Sequence, residues 1–120
     1  MEFLNKIIIR GIVGRVQRTV IHDKTAVDFS VVTQTIHKQN DGTQTCETTW
    51  FRITGWEHLS GCEDLKEIQK TSVVEITGRV RPVKYTNAFG DDVISWEVIA
   101  QKVRHLGMYS KDIMLEYQNN

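Results

Sequence analysis

The chain has 120 residues, 40% hydrophobic and 25% charged, with 15 basic and 15 acidic side chains and a formal net charge of zero. That profile suits a single folded domain and excludes intrinsic disorder; with no net charge, only the placement of cations can attract nucleic acid. No apolar run approaches the roughly 18 to 20 residues of a membrane span, and Met1 to Lys6 does not read as a secretory signal.

Five segments read as strands by alternation and β-propensity. The first is Lys6 to Gly14, KIIIRGIVG, rich in β-branched residues. Arg18 to Thr25 reads as a polar loop. Val27 to Thr35 sets Val27, Phe29 and Val31 against Asp28 and Ser30. Lys38 to Thr45 contains Asn40-Asp41-Gly42, a strong turn signal.

The third strand is Thr48 to Trp56. A period of two puts Thr49, Phe51 and Ile53 on one face and Trp50, Arg52, Thr54 and Trp56 on the other. If Phe51 and Ile53 face the core, two tryptophans and an arginine face outward. Next, Leu59, Cys62, Leu65 and Ile68 recur every three residues. That spacing predicts a short helix within 57–70, capped by Ser60 with Glu63 as its capping-box partner.

Val73 to Arg81 places Val74, Ile76 and Val80 opposite Glu75, Thr77, Arg79 and Arg81, and Pro82 ends this fourth strand. Ala88-Phe89-Gly90-Asp91 suggests a hairpin turn. In Val93 to Val103, Ile94, Trp96, Val98 and Ala100 share a face, which assigns Trp96 to the core. Residues 1–107 form the expected domain, and 108–120 a short extension whose Ile113, Met114, Leu115 and Tyr117 suit docking.

Three strands, one helix and two strands is the order of an OB-fold: all-β, a five-stranded barrel with one short helix between strands 3 and 4. Such barrels bind oligonucleotides or oligosaccharides on the face of strands 2 and 3. Binding of single strands without sequence preference needs aromatic rings for bases and cations for phosphates. Trp50, Trp56, Tyr85 and Phe89 supply rings. Arg52, Arg79, Arg81, Lys84 and Lys38 supply cations, and His37 lies where strand 2 enters its hairpin loop.

Other candidates read as structural. Cys46 and Cys62 have no zinc spacing and read as reduced thiols of a cytoplasmic protein. His22, His58 and His105 read as surface histidines, and Asp91-Asp92 as a turn. Glu63, Asp64 and Glu67 read as a solvated helix face. No catalytic constellation, metal site or cofactor motif is evident, so no enzymatic activity is expected.

The stretches NKIIIRGIVG, VDFSVVTQ, TTWFRITGWE and VEITGRVRPVKYTNAFGDDVISWEV resemble the bacterial single-stranded DNA-binding protein family, over about residues 5 to 107. The resemblance implies stacking roles for Trp50 and Trp56, with Tyr85 and His37 where tryptophans are often found. It implies a basic lining of Arg52, Arg79, Arg81 and Lys84. It implies sequence-independent binding of single-stranded DNA in replication, recombination or repair, in the nucleoid. It also implies a homotetramer or dimer built by first-strand pairing, which Ile7-Ile8-Ile9 would suit. The family usually continues into a Gly/Gln/Pro-rich linker and an acidic tip. This sequence ends at Glu116-Tyr117-Gln118-Asn119-Asn120, which puts tail-mediated recruitment of repair enzymes in question. The alternative is a protein-interaction or primosome-type module in a larger DNA-processing complex, with the tryptophans as interface anchors.

Overall fold

The computed structural model describes residues 1–110. The apolar tail residues Ile113, Met114, Leu115 and Tyr117 lie outside that range. Five strands run in chain order: β1 Ile7–Ile21, β2 Lys24–Lys38, β3 Gln44–Trp56, β4 Ser72–Thr86 and β5 Asp92–Met108. They close into a barrel in the order β1-β2-β3-β5-β4. All neighbours are antiparallel except β3 and β5, which meet in parallel at Ile53–Val98 and Thr54–Ile99 and so close the ring. The five strands and their order agree with the OB-fold expectation.

β1 serves two neighbours in succession. Ile7–Ile12 pairs with β4, and Ile12–Ile21 pairs with β2. The change of direction falls at a bulge between Val13 and Val16, where the Ser30 hydroxyl accepts the Arg15 N–H at 2.9 Å. A bulge bends and twists its strand, which lets one strand turn the corner of a small barrel. Apolar partners meet inside the barrel: Val13 meets Val31, and Phe29 meets Ile53. Ile9, Ile76, Val98 and Val103 complete the buried interior.

The expected polar loop over 18–25 does not form. β1 continues to Ile21 and turns on two residues, His22 and Asp23, with φ of 50° and 66°. Left-handed φ at both central residues matches the twist of the flanking strands, and His and Asp tolerate it better than most side chains. The signal was hard to read because no glycine marks it. The other two turns match their sequence signals. Gly42 and Gly90 take φ of 86° and 83° in the two remaining hairpins.

The predicted helix is reduced to a four-residue 3₁₀ turn, Glu63–Lys66. Ser60 does not cap it. The position before the turn is Cys62, and no side chain caps it. The Glu63 carboxylate instead accepts the Gly61 N–H at 3.0 and 3.1 Å. Arg18, from β1, donates to the carbonyls of Leu65 and Ile68 at 2.8 Å each. Asp64 accepts the His105 N–H at 2.8 Å. Tertiary partners thus take up groups that a longer helix would have paired internally. The period-three apolar residues still point inward: Cys62, Leu65 and Ile68 are buried, while Leu59 is 41% exposed. Burial pushes the Cys62 thiol up from its ordinary range, and Glu63 adds to that shift.

Every strand extends further than its apolar patterning at one end or both, β1 at its C-terminal end. β2 and β3 pair without a break to Lys38–Gln44, and β4 and β5 pair to Thr86–Asp92. Two hairpin arms therefore project from the barrel body. Among the described residues no helix is long and apolar enough to cross a membrane.

Candidate nucleic-acid interface

The outward face of β3 is as the alternation implies. Cross-strand partners share a face, so Trp50 sits beside Val32, Arg52 beside Ser30, Thr54 beside Asp28 and Trp56 beside Ala26. Trp50 is 60% exposed. Trp56 is half-buried, with the His58 ring packed edge-on at 5.7 Å. Arg52, between them, is exposed and has no hydrogen-bond or ion-pair partner among the described residues.

Trp50 needs room that only glycine supplies. A Cβ on Gly14 of β1 would stand 2.7 Å from the Trp50 ring and 2.9 Å from the Ser30 hydroxyl. The ring thus lies across β2 against the backbone of β1. Its inner edge is seated and its outer face is open to a flat ligand.

The platform continues sideways through polar groups. The Thr54 hydroxyl is 2.8 Å from the Asp28 carboxylate and 3.4 Å from that of Glu97. Glu97, on β5, is buried and binds the Arg81 guanidinium at 2.6 Å. This chain links β2, β3, β5 and β4 on one surface. Arg79, Arg81 and Tyr85 share the outer face of the β4–β5 arm with Glu97. Tyr85 is 48% exposed.

Several sequence-derived sites sit differently. Arg81 was assigned to the phosphate lining, yet its charge is already met by Glu97. Lys84 lies on the opposite face of the arm from Tyr85, opposite Ile94, and pairs with Asp92 at 3.3 Å. Arg52 and Arg79 are cations of this surface without a partner among the described residues. Phe89 sits at the tip of the arm, 89% exposed. The Asn87 side chain holds that turn by accepting the N–H groups of Phe89 and Asp91 at 2.9 and 3.0 Å.

His37 lies on the other face of its hairpin from Trp50. It lies opposite Thr45 and bonds Glu47 at 3.2 Å, on the face that continues Phe51 and Thr49. The register puts Ile36, not His37, on the Trp50 face, opposite Cys46. Ile36 is 49% exposed. Counting in steps of two forward from Val32, the partner of Trp50, finds it. Lys38 does fall on the Trp50 face, at the far end of the arm.

Trp96 is the clearest departure. The alternation assigns it to the core, yet it is 63% exposed, with Ile94 at 64%. Val98 and Ala100, on the same face, are buried. The face was right and its cover was not: the arm carries that face beyond the end of the barrel. His105 is also not a simple surface histidine. It is half-buried, and its ring bonds the Ser72 hydroxyl at 3.0 Å.

The model of the Single-strand binding protein family matches residues 4–106. The chain belongs to this family. It is 26% identical over 106 residues to the single-stranded DNA-binding proteins of Neisseria meningitidis serogroups A and B, which covers 87% of this chain and 60% of each relative. The chain therefore spans less than two thirds of the curated relatives it matches. Among solved structures, it resembles the Plasmodium falciparum SSB in complex with ssDNA. The TM-score is 0.71 at 22% identity, over 88% of this chain and 97% of that one. A deletion mutant of the Thermus aquaticus single-stranded DNA binding protein matches with a TM-score of 0.68 at 15% identity, over 86% of this chain and 50% of that one. At these identities the structural likeness speaks for the shared barrel.

Proposed function

We propose that this chain binds single-stranded DNA, without chemistry and with little sequence preference, in replication, recombination or repair on the nucleoid. The carrying observation is the open face of β3, where Trp50 and Trp56 flank Arg52, which has no partner among the described residues. Bases stack on Trp50, Trp56 and Tyr85, because every base has a π-face. Arg52, Arg79 and, at the arm's end, Lys38 meet phosphates. Arg81 contributes less, since Glu97 already offsets it. Family membership and the Neisseria relatives support this reading, as does the likeness to a barrel solved with ssDNA.

A homo-oligomer built on β1 goes with this reading. Ile7–Gly11 pairs with β4 along one edge only, and Ile8 is 59% exposed. An open apolar edge of this kind invites pairing with another copy. Sedimentation of the purified protein tests it: a monomer mass at micromolar concentration would exclude it.

The decisive experiment is a titration of tryptophan fluorescence with oligo-dT at two salt concentrations, beside a Trp50→Ala, Trp56→Ala double variant. Binding should quench emission and weaken as salt rises, because phosphate contacts release counterions. Each stacked base contributes roughly 1–3 kcal/mol, so the double variant should lose about 2–6 kcal/mol of binding while staying folded. Absence of quenching and of any salt effect would turn the reading toward a protein interface.

A further inference from the structure

The third tryptophan stands on a surface that the β3 platform does not include. On the β4–β5 arm, Trp96 lies opposite Pro82, Ile94 opposite Lys84, and Val98 opposite Val80. These six side chains share the arm's inner face, the continuation of the core face outside the barrel. Tyr85 lies on the outer face and Phe89 at the tip. Exposed aromatic rings thus occur on both faces of one arm and at its end.

Lys84 flanks Trp96 diagonally across the strands. Its ion pair with Asp92 is long, 3.3 Å, and the two side chains are 69% and 61% exposed. Pairs this exposed contribute little, so Lys84 can exchange Asp92 for a phosphate at small cost. Ring, aliphatic neighbour and exchangeable cation are the elements of a stacking site. A second copy of the chain fits less well, because a stable interface takes about 20–30 residues a side and the inner face offers three exposed apolar ones, Pro82, Ile94 and Trp96.

We propose that Trp96 is a base-stacking residue of the same single-strand site, so that the bound strand passes around the β4–β5 arm rather than along one side of it. The inference rests on the function proposed above. It adds a residue on the reverse of the arm and a path that joins Tyr85, Phe89 and Trp96.

The test uses two variants. In Trp50→Phe, Trp56→Phe protein, Trp96 is the sole tryptophan of the three, and oligo-dT should quench its emission. Trp96→Ala should bind oligo-dT at least about fivefold more weakly, with unchanged sedimentation and thermal midpoint. If wild-type protein binds but the lone Trp96 emission does not move and Trp96→Ala binds as tightly, the inference fails and the proposed function stands. If Trp96→Ala changes the oligomeric mass, the face belongs to a second copy and the inference also fails. If wild-type protein does not bind oligo-dT at all, the underlying reading fails and takes this one with it.

Discussion

Within β3, Ile53 is fully buried, while Thr49, four residues earlier on the same face, is exposed. β5 shows the same change: Trp96 is open and Val98, two residues later on the same face, is closed. The barrel body and the two arms are made from the same strands, and pairing runs without a register shift from Ala26 to Lys38 in β2–β3 and from Gly78 to Thr86 in β4–β5. In the body, one face of every strand is covered by the other strands and by the 3₁₀ turn. In the arms, both faces meet solvent. Apolar residues in the body therefore hold the fold together, and apolar residues in the arms are free to meet something else. Covered and open positions of one face thus lie a few residues apart along individual strands.

That separation can be broken or sharpened by substitution. The largest effect, beside that of the platform double variant, is expected in the body. Ile53→Ala should cost about 2–5 kcal/mol of stability in denaturant unfolding, because it leaves a cavity opposite Phe29. Ile36→Ala in the arm should change stability by no more than about 0.5 kcal/mol in the same assay. Equal losses would mean that the arm is part of the core after all.

Gly14→Ala tests the seam between the two regions. Its Cβ would displace the Trp50 ring or the Ser30 hydroxyl. The protein should remain folded and bind oligo-dT more weakly than wild type, by less than the roughly 1–3 kcal/mol expected for Trp50→Ala. Unchanged affinity would mean that the seat of the ring is irrelevant to binding.

Charge pairing sharpens the comparison further. Arg52→Gln should flatten the slope of log K against log salt by about 0.7, the value for one phosphate contact on a single strand. Arg81→Gln should flatten it by less, since Glu97 already meets that charge. Equal changes would show that Glu97 leaves Arg81 free to bind.

The smallest effect is in the body's surface charges. Hydrogen bonding from Arg10 holds the Glu75 carboxyl below its usual range, with smaller help from Arg104. A depressed carboxylate stabilises the fold above its unfolded value, about 4.3, and loses that contribution as pH falls through the folded value. Glu75→Gln should therefore be less stable at pH 7 by about 1 kcal/mol or less. The gap should close below pH 4 in thermal melts.

The sequence by itself determined the five strands, their order, two of the three turns and the outward face of β3. These depend on local patterning: β-branched alternation, Asn-Asp-Gly and Phe-Gly at turns, and a two-residue period. It also determined that Cys62, Leu65 and Ile68 face inward. Tertiary structure decided the rest. The length of each strand followed its hairpin partner, because backbone hydrogen bonds continue past the last apolar residue. The helix is one turn because Gly61 takes a φ of 91°, outside a right-handed helix, and Arg18, distant in sequence, bonds the carbonyls of Leu65 and Ile68. Arg81 lost its free charge to Glu97 on the neighbouring strand. Ile36 replaced His37 on the platform because register, set by the whole hairpin, fixes which residue faces where. Trp96 moved from core to surface for the most general reason: a period of two names the face a side chain occupies, but only the packing of other elements decides whether that face is covered.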